Sequence, residues 1–184
     1  MPGGYKGLIV VAGGGKYGSK AVVNLQGRAK RIIVCDLNPE CEASAYADRI
    51  LHPSSPKSLV KLEGITLAVA DCVQIVSDMM VEGLIPEAIV PTVPLHLAGK
   101  VLAESLGKLG YKAKPNPKPL EVLKNLKLAE VKVDGKAALA VLSRLPPQLR
   151  CVEGCRETVK CPVTGEALTT PVYQLIEPVS YTHL

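Results

Sequence analysis

Strand-length apolar runs alternate with helix-length mixed stretches over the first 110 residues. Residues 7–12 form a compact apolar run that ends in Gly13-Gly14-Gly15, and residues 16–26 read as the helix that follows. A second apolar run, residues 31–35, is closed by Asp36. Residues 40–51 read as a helix, and Pro53 and Pro56 break the chain into a loop. Residues 65–70 give a third strand, after which Asp71 is placed to N-cap a helix running to about Glu82. Residues 87–93 give a fourth strand and residues 95–109 a fourth helix, ending at Gly110. Repeated strand–helix units of this length predict a doubly wound α/β fold with parallel strands and right-handed crossovers, over about residues 1–112.

The alternation stops at residue 110. Pro115, Pro117 and Pro119 alternate with Asn and Lys, so residues 113–120 read as an extended linker. The remainder, residues 121–184, is expected to be a small, irregular, Cys-bearing segment. Within it residues 128–133 read as a strand and Asp134-Gly135 as a turn. Residues 136–143 read as either the hairpin partner or a short helix. Residues 179–184 resemble translated sequencing-adapter read-through, which carries the expectation that the native chain runs on past about Glu177 with other residues. His183 is therefore given no role.

Composition narrows the function classes. Hydrophobic residues make up 47% and charged residues 21%, a globular mixture. Six Tyr are the whole aromatic complement, so a platform that stacks nucleic-acid bases is not expected. The apolar runs fall far short of the roughly 20 residues of a spanning helix, and no signal peptide is read. A cytoplasmic protein with no membrane or nucleic-acid partner is the expectation. Its six Cys then read as reduced thiols or metal ligands rather than disulfides. The net charge of +5 lies entirely beyond residue 92, with nine Lys between Lys100 and Lys136. Such a dispersed basic run reads first as a solvated face and second as a docking surface for an anionic partner; a protein partner or a homo-oligomer is a separate expectation.

Gly13, Gly15 and Gly18 satisfy G-x-G-x-x-G, with Lys16 and Tyr17 between the last two. In that pattern the first glycine makes the turn out of the strand, and the second lets the backbone approach a pyrophosphate. The third lets helix and strand pack closely. The phosphates meet unpaired N–H groups at the helix start. Asp36 follows eighteen residues after Gly18, where a carboxylate accepts hydrogen bonds from the adenosine ribose. Leu37 and Asn38 come next and no basic residue does, which favours NAD over NADP. A P-loop would need Lys-Ser after its last glycine, whereas Ser19-Lys20 has the reverse order. A methyltransferase loop usually carries an acidic residue just before its first glycine, and Val11-Ala12 stand there, so S-adenosylmethionine is a minor alternative.

Residues 8–40 resemble the first βαβ unit of the NAD(P)-binding Rossmann superfamily. The run Ile32-Ile33-Val34-Cys35-Asp36-Leu37-Asn38-Pro39-Glu40 is similar to the second strand of potassium-transport regulatory (TrkA-N) and saccharopine-dehydrogenase-like domains. The resemblance implies a bound nucleotide contacted by Gly13, Gly15, Gly18 and Asp36. It covers about a fifth of the chain and carries over no catalytic residue.

Two further groups are candidates for chemistry. Asp71 and His96 would lie at the carboxyl ends of the third and fourth strands, where ligands of open α/β sheets bind. Near a helix start, His96 would tend to be the neutral, proton-accepting imidazole, so either residue is a candidate for proton transfer in an oxidoreductase. Cys72 reads as a thiol activated by a helix start or, more simply, as a buried inert one. Cys151, Cys155 and Cys161 fall within eleven residues, and Cys161 opens Cys-Pro-Val-Thr-Gly, similar to the knuckles that hold a metal thiolate. Zinc or an iron–sulfur cluster would be the metal. A fourth ligand would come from Cys35, Cys41, Cys72, His52, His96 or a residue beyond this chain. Three function classes follow: an NAD-dependent oxidoreductase, a nucleotide-sensing domain, and a metal-binding interaction protein on a Rossmann-like scaffold.

Overall fold

The computed structural model describes residues 5–114, 116, 118, 120–123, 126, 128, 130–134, 139–152, 155, 159–168, 170–172 and 174–176. The chain divides into two compact units, Met1–Ala113 and Lys114–Leu184. In the first, β1 (Tyr5–Ala12), β2 (Ala29–Asp36), β3 (Arg49–Leu51), β4 (Gly64–Val69) and β5 (Ala88–Pro91) form one sheet in the order β3-β4-β2-β1-β5. Every pairing in it is parallel. The helices are α1 (Lys16–Leu25), α2 (Cys72–Val81) and α3 (Leu97–Lys108).

The continuous apolar runs of β1, β2 and β4 follow from burial on both faces of the sheet. Ile9, Val11, Ile32 and Val34 pack with Val22 and Leu25 of α1. Leu8, Val10 and Ile33 point the other way, onto Ile75, Val76 and Met79 of α2 and Val101 of α3. Helix α1 carries the chain from β1 outward to β2, whereas α2 carries it from β4 back across the sheet to β5. Right-handed crossovers that travel in opposite directions must run over opposite faces. The sheet is therefore doubly wound, and its direction of winding switches between β1 and β5.

The segment after β2 departs from the sequence reading. In place of one helix over residues 40–51 there is a 3-10 turn, Glu42–Tyr46, and then the edge strand β3. Tertiary hydrogen bonds outweigh the helical tendency of Glu-Ala-Ser-Ala. Ala43 N–H donates to Gly14 O at 2.8 Å, and Asp48 N–H donates to Ile65 O at 2.9 Å. Asp48 Oδ2 also accepts from Ile65 N–H at 2.7 Å, and Arg49 donates to Glu63 O at 2.6 Å. A continuous helix would forfeit all four bonds.

In the second unit a short helix, α4 (Leu120–Leu123), precedes β6 (Glu130–Asp134) and β7 (Leu139–Ser143), which pair antiparallel. Of the two readings of residues 136–143, the strand partner is the one formed, over Leu139–Ser143; residues 135–138, including Gly135 of the expected turn, lie outside the described residues. So do Pro115, Pro117 and Pro119 of the expected linker, and residues 177–184. Among the described residues no helix is long and apolar enough to cross a membrane.

Candidate functional site

Gly13, Gly15 and Gly18 have three different physical roles. Gly13 turns the chain out of β1 at φ +102°, and a Cβ there would lie 2.9 Å from Thr92 Oγ1 and from Val93 Cγ1. Gly18 lies against the turn, so a Cβ there would overlap the Gly13 carbonyl oxygen and stand 2.8 Å from its carbon. Gly15 is the N-cap of α1 and has nothing within 4 Å of where its Cβ would be. No side chain caps α1 and no acidic residue occupies its first turn. No side-chain cap answers the N–H groups of that turn, and the space beside Gly15 is open, the arrangement in which a helix start accepts an anion. Lys16 and Lys20 place their ammonium groups 5.9 and 6.0 Å from the Tyr17 ring centre, and Tyr17 is itself 62% exposed. The cations therefore stand on this same end of the helix.

Asp36 ends β2 beside this loop. Its Oδ2 accepts from Gly14 N–H at 2.6 Å and its Oδ1 from Asn38 N–H at 2.9 Å. The carboxylate thus fixes the glycine turn, and each oxygen keeps a further lone pair. Leu37, next along, is 71% exposed and presents an apolar surface at the same sheet end. Across the switch point, Thr92 Oγ1 lies 2.8 Å from Ala12 O and 2.9 Å from Gly13 O, and its N–H donates to Ala12 O. The sequence reading gives Thr92 no role of its own and takes Leu37 only as the absence of a basic residue. Thr92 has no local signature, because its partners lie about eighty residues away.

Asp71 and His96 both act as helix caps. Asp71 Oδ1 accepts from Val73 N–H at 2.7 Å and Gln74 N–H at 3.1 Å. His96 Nδ1 accepts from Gly99 N–H at 3.1 Å. Between α2, α3 and the end of β5 lies an apolar cleft of about 470 Å³, lined by Val76, Met80, Ile89, Pro91, Leu97 and Val101. Pro91 and Leu97 bracket the loop that carries Thr92 and His96.

The thiols of the first unit are held inert. Burial, and then Cys72, Asp36 and Asp71, push Cys35 far above the ordinary thiol range. Cys41 is raised by burial and by Asp36. For Cys72, the N–H groups of Cys72 and Val73 favour the thiolate, but burial and Asp71 outweigh them and the thiol is raised. Cys72 is thus the buried inert thiol of the two readings.

The second unit is different. Cys161 lies in a tight turn: its N–H donates to Glu166 O, its carbonyl accepts from Gly165 N–H, and Lys160 pairs with Ala167. The Thr164 hydroxyl, followed by the N–H groups of Thr164 and Val163, hydrogen-bonds the Cys161 sulfur and lowers its pKa. Cys151 is raised by loss of surrounding water and by Cys155, which hydrogen-bonds it, with a further electrostatic contribution from Cys161. As they stand, no three His, Cys, Asp or Glu side chains among the described residues are gathered tightly enough to hold a metal.

These directions predict an order of thiol reactivity, because the thiolate is the nucleophile. In reduced, metal-free protein near neutral pH, iodoacetamide should label Cys161 ahead of Cys151, and Cys35 only after unfolding. Peptide mass spectrometry over time checks this, and the Cys161 rate should reach its plateau at a lower pH than the Cys151 rate. Early labelling of Cys35 would contradict the enclosed core.

The sheet and its loops define an α/β protein with a glycine turn at the switch point of a parallel sheet, the crevice where such folds take ligands. A family model described as "Uncharacterized protein, N-terminal domain" matches residues 8–97, from β1 to the start of α3. Over 171 residues the chain is 28% identical to an "Uncharacterized protein" of Archaeoglobus fulgidus, a similarity covering 92% of this chain and 74% of that protein. No solved structure matches.

Proposed function

We propose that the first unit binds an adenine dinucleotide, NAD in preference to NADP, and acts as a nucleotide-sensing domain. The observation that carries this reading is the division of labour among the glycines: Gly13 turns, Gly18 packs and Gly15 stands open. Strand order β4-β2-β1-β5 agrees with the arrangement of the NAD(P)-binding Rossmann superfamily. The pyrophosphate would lie over Gly15 and the N–H groups of Lys16, Tyr17 and Gly18. The ribose would take the remaining lone pairs of Asp36, and the exposed Leu37 would give the adenine an apolar face. The nicotinamide end would turn toward Thr92 and the cleft at Pro91.

Sensing is favoured over hydride transfer because Asp71 and His96 already serve as helix caps. Proton transfer by His96 would fall to Nε2 alone, since Nδ1 is engaged. Calorimetric titration of the full chain with NAD, NADP and S-adenosylmethionine tests the reading. One saturable NAD site with weaker NADP binding is expected. Binding of S-adenosylmethionine alone would transfer the site to methyl transfer, and binding of none would end the proposal. Conversion of the bound NAD by a hydroxy- or amino-substrate would replace sensing with oxidoreduction.

A further inference from the structure

We propose that the cleft between α2, α3 and the end of β5 binds a small aliphatic molecule of about nine carbons with one uncharged oxygen, which hydrogen-bonds Ser105. This does not depend on the nucleotide reading, because neither the glycine turn nor Asp36 lines the cleft.

The cleft arises from residues at helical spacing. Leu97, Val101 and Ser105 recur every four residues on α3, so they share one face of that helix. Val76 and Met80 are likewise four apart on α2. These four apolar side chains and one hydroxyl line the groove between the helices. Protein interiors are close-packed, yet about 470 Å³ stays open here. A clasp at the foot of the helix pair keeps the walls apart. Lys108 Nζ donates to Ser77 Oγ at 2.9 Å and to Asp78 Oδ1 at 2.5 Å, which sets the separation of α3 from α2 just past Ser105. The cleft can close further only by disturbing those bonds.

The lining selects the ligand. None of its residues is charged, so an ionised carboxylate, phosphate or ammonium would leave water without a partner. Ser105 Oγ is buried and has no hydrogen-bond partner among the described residues. The other buried hydroxyl of this helix pair, Ser77 Oγ, is engaged by both Gln74 O and Lys108 Nζ. An unpaired buried hydroxyl is unfavourable, and a ligand oxygen beside Ser105 relieves it. Leu97 and Ser105 lie about two turns apart on α3. At about 1.5 Å per residue the cleft therefore runs roughly 12 Å, the extended length of a chain of about nine carbons. The oxygen belongs at the Ser105 end and the hydrocarbon toward Pro91. An acyl chain still attached to a membrane lipid would enter methyl first and leave the hydroxyl unpaired, so the ligand is a free molecule.

The test titrates the full chain, without nucleotide, with straight-chain alcohols by calorimetry. One saturable octanol site is expected. Hexanol, two methylenes shorter, should bind roughly tenfold more weakly, and ionised octanoate should also bind at least about tenfold more weakly than octanol. Dodecanol should bind no tighter than decanol, because its chain outruns the cleft. Ser105→Ala should weaken octanol roughly fivefold without loss of thermal stability, since Ala is the better helix former. Ala98→Phe brings a ring into the cleft from its exposed rim and should abolish octanol binding. Circular dichroism should show both variants folded, and Ser105→Ala keeps the test decisive should Ala98→Phe misfold. Absence of a saturable octanol site overturns the proposal, as does undiminished octanol affinity in a folded Ala98→Phe protein. Affinity that keeps rising with chain length overturns a bounded site, and unchanged affinity in Ser105→Ala overturns the hydrogen bond. Binding to phosphatidylcholine vesicles that octanol displaces would give the cleft to a lipid chain instead. Self-association that octanol dissolves would give it to a second copy.

Discussion

Replacing Gly18 by Ala is expected to destabilise the first unit by roughly 3 kcal/mol, whereas the same change at Gly15 should cost less than about 1 kcal/mol. At position 18 the added methyl collides with the backbone of Gly13, which Thr92 and Asp36 hold in place through Ala12, Gly13 and Gly14. Neither partner can yield without opening the β1–β5 junction. At position 15 the methyl enters open space at φ −73°, which any residue adopts. Thermal unfolding followed by circular dichroism should show a fall of about 10 °C for Gly18→Ala and almost none for Gly15→Ala. Ligand binding should reverse the ranking. Gly15→Ala places its methyl where a pyrophosphate would approach, so a folded Gly15→Ala protein should lose most of its NAD affinity. Equal stability losses at the two positions would dissolve the distinction on which the site is built.

Asp36→Ala should weaken NAD by roughly 10- to 100-fold and relax the discrimination against NADP. A charged hydrogen-bond acceptor contributes on the order of 1.5–3 kcal/mol, and this one also fixes Gly14 N–H. Asp36→Asn separates the two effects. The amide oxygen can still accept from Gly14, so the glycine turn is kept at the loss of the bond from Asn38 N–H, while the charge that repels a ribose 2′-phosphate is gone. Calorimetry on the three proteins should therefore find Asn close to wild type for NAD and improved for NADP. Equal affinity of the wild type for both cofactors would remove Asp36 from the ribose.

Much of the first unit is legible in local pattern. Residues 7–12, 31–35 and 65–70 are apolar without alternation, a property that only strands covered on both faces require, and they fall within or almost within β1, β2 and β4. Asp71 and Gly110 mark helix ends through local hydrogen bonding and backbone conformation, so they too are read directly from sequence: Asp71 caps α2, and Gly110 follows α3 at φ +86°. The winding of the sheet follows from the handedness of the crossovers once the strands are taken as parallel.

Residues 40–51 were illegible for the opposite reason. Their helical tendency is a few tenths of a kcal/mol per residue, and bonds to Gly14, Ile65 and Glu63, each remote in sequence, outweigh it. The roles of Asp71 and His96 were undecided for a related reason. A capping side chain and an acid–base group use the same atoms: the structure shows the caps at Asp71 Oδ1 and His96 Nδ1, a role that local sequence does not separate from proton transfer.

The sequence alone determines the βαβ alternation, the G-x-G-x-x-G spacing, Asp36 eighteen residues beyond it and the separation of the last three Cys from the rest. Each depends on residues close along the chain. Tertiary structure decides that Gly18 packs while Gly15 stands open, and that Thr92 locks the turn from the far side of the switch point. It also decides that Cys35, Cys41 and Cys72 are enclosed while Cys161 is held toward thiolate. Those outcomes depend on what lies across a few ångströms of space, which folding brings together from positions tens of residues apart.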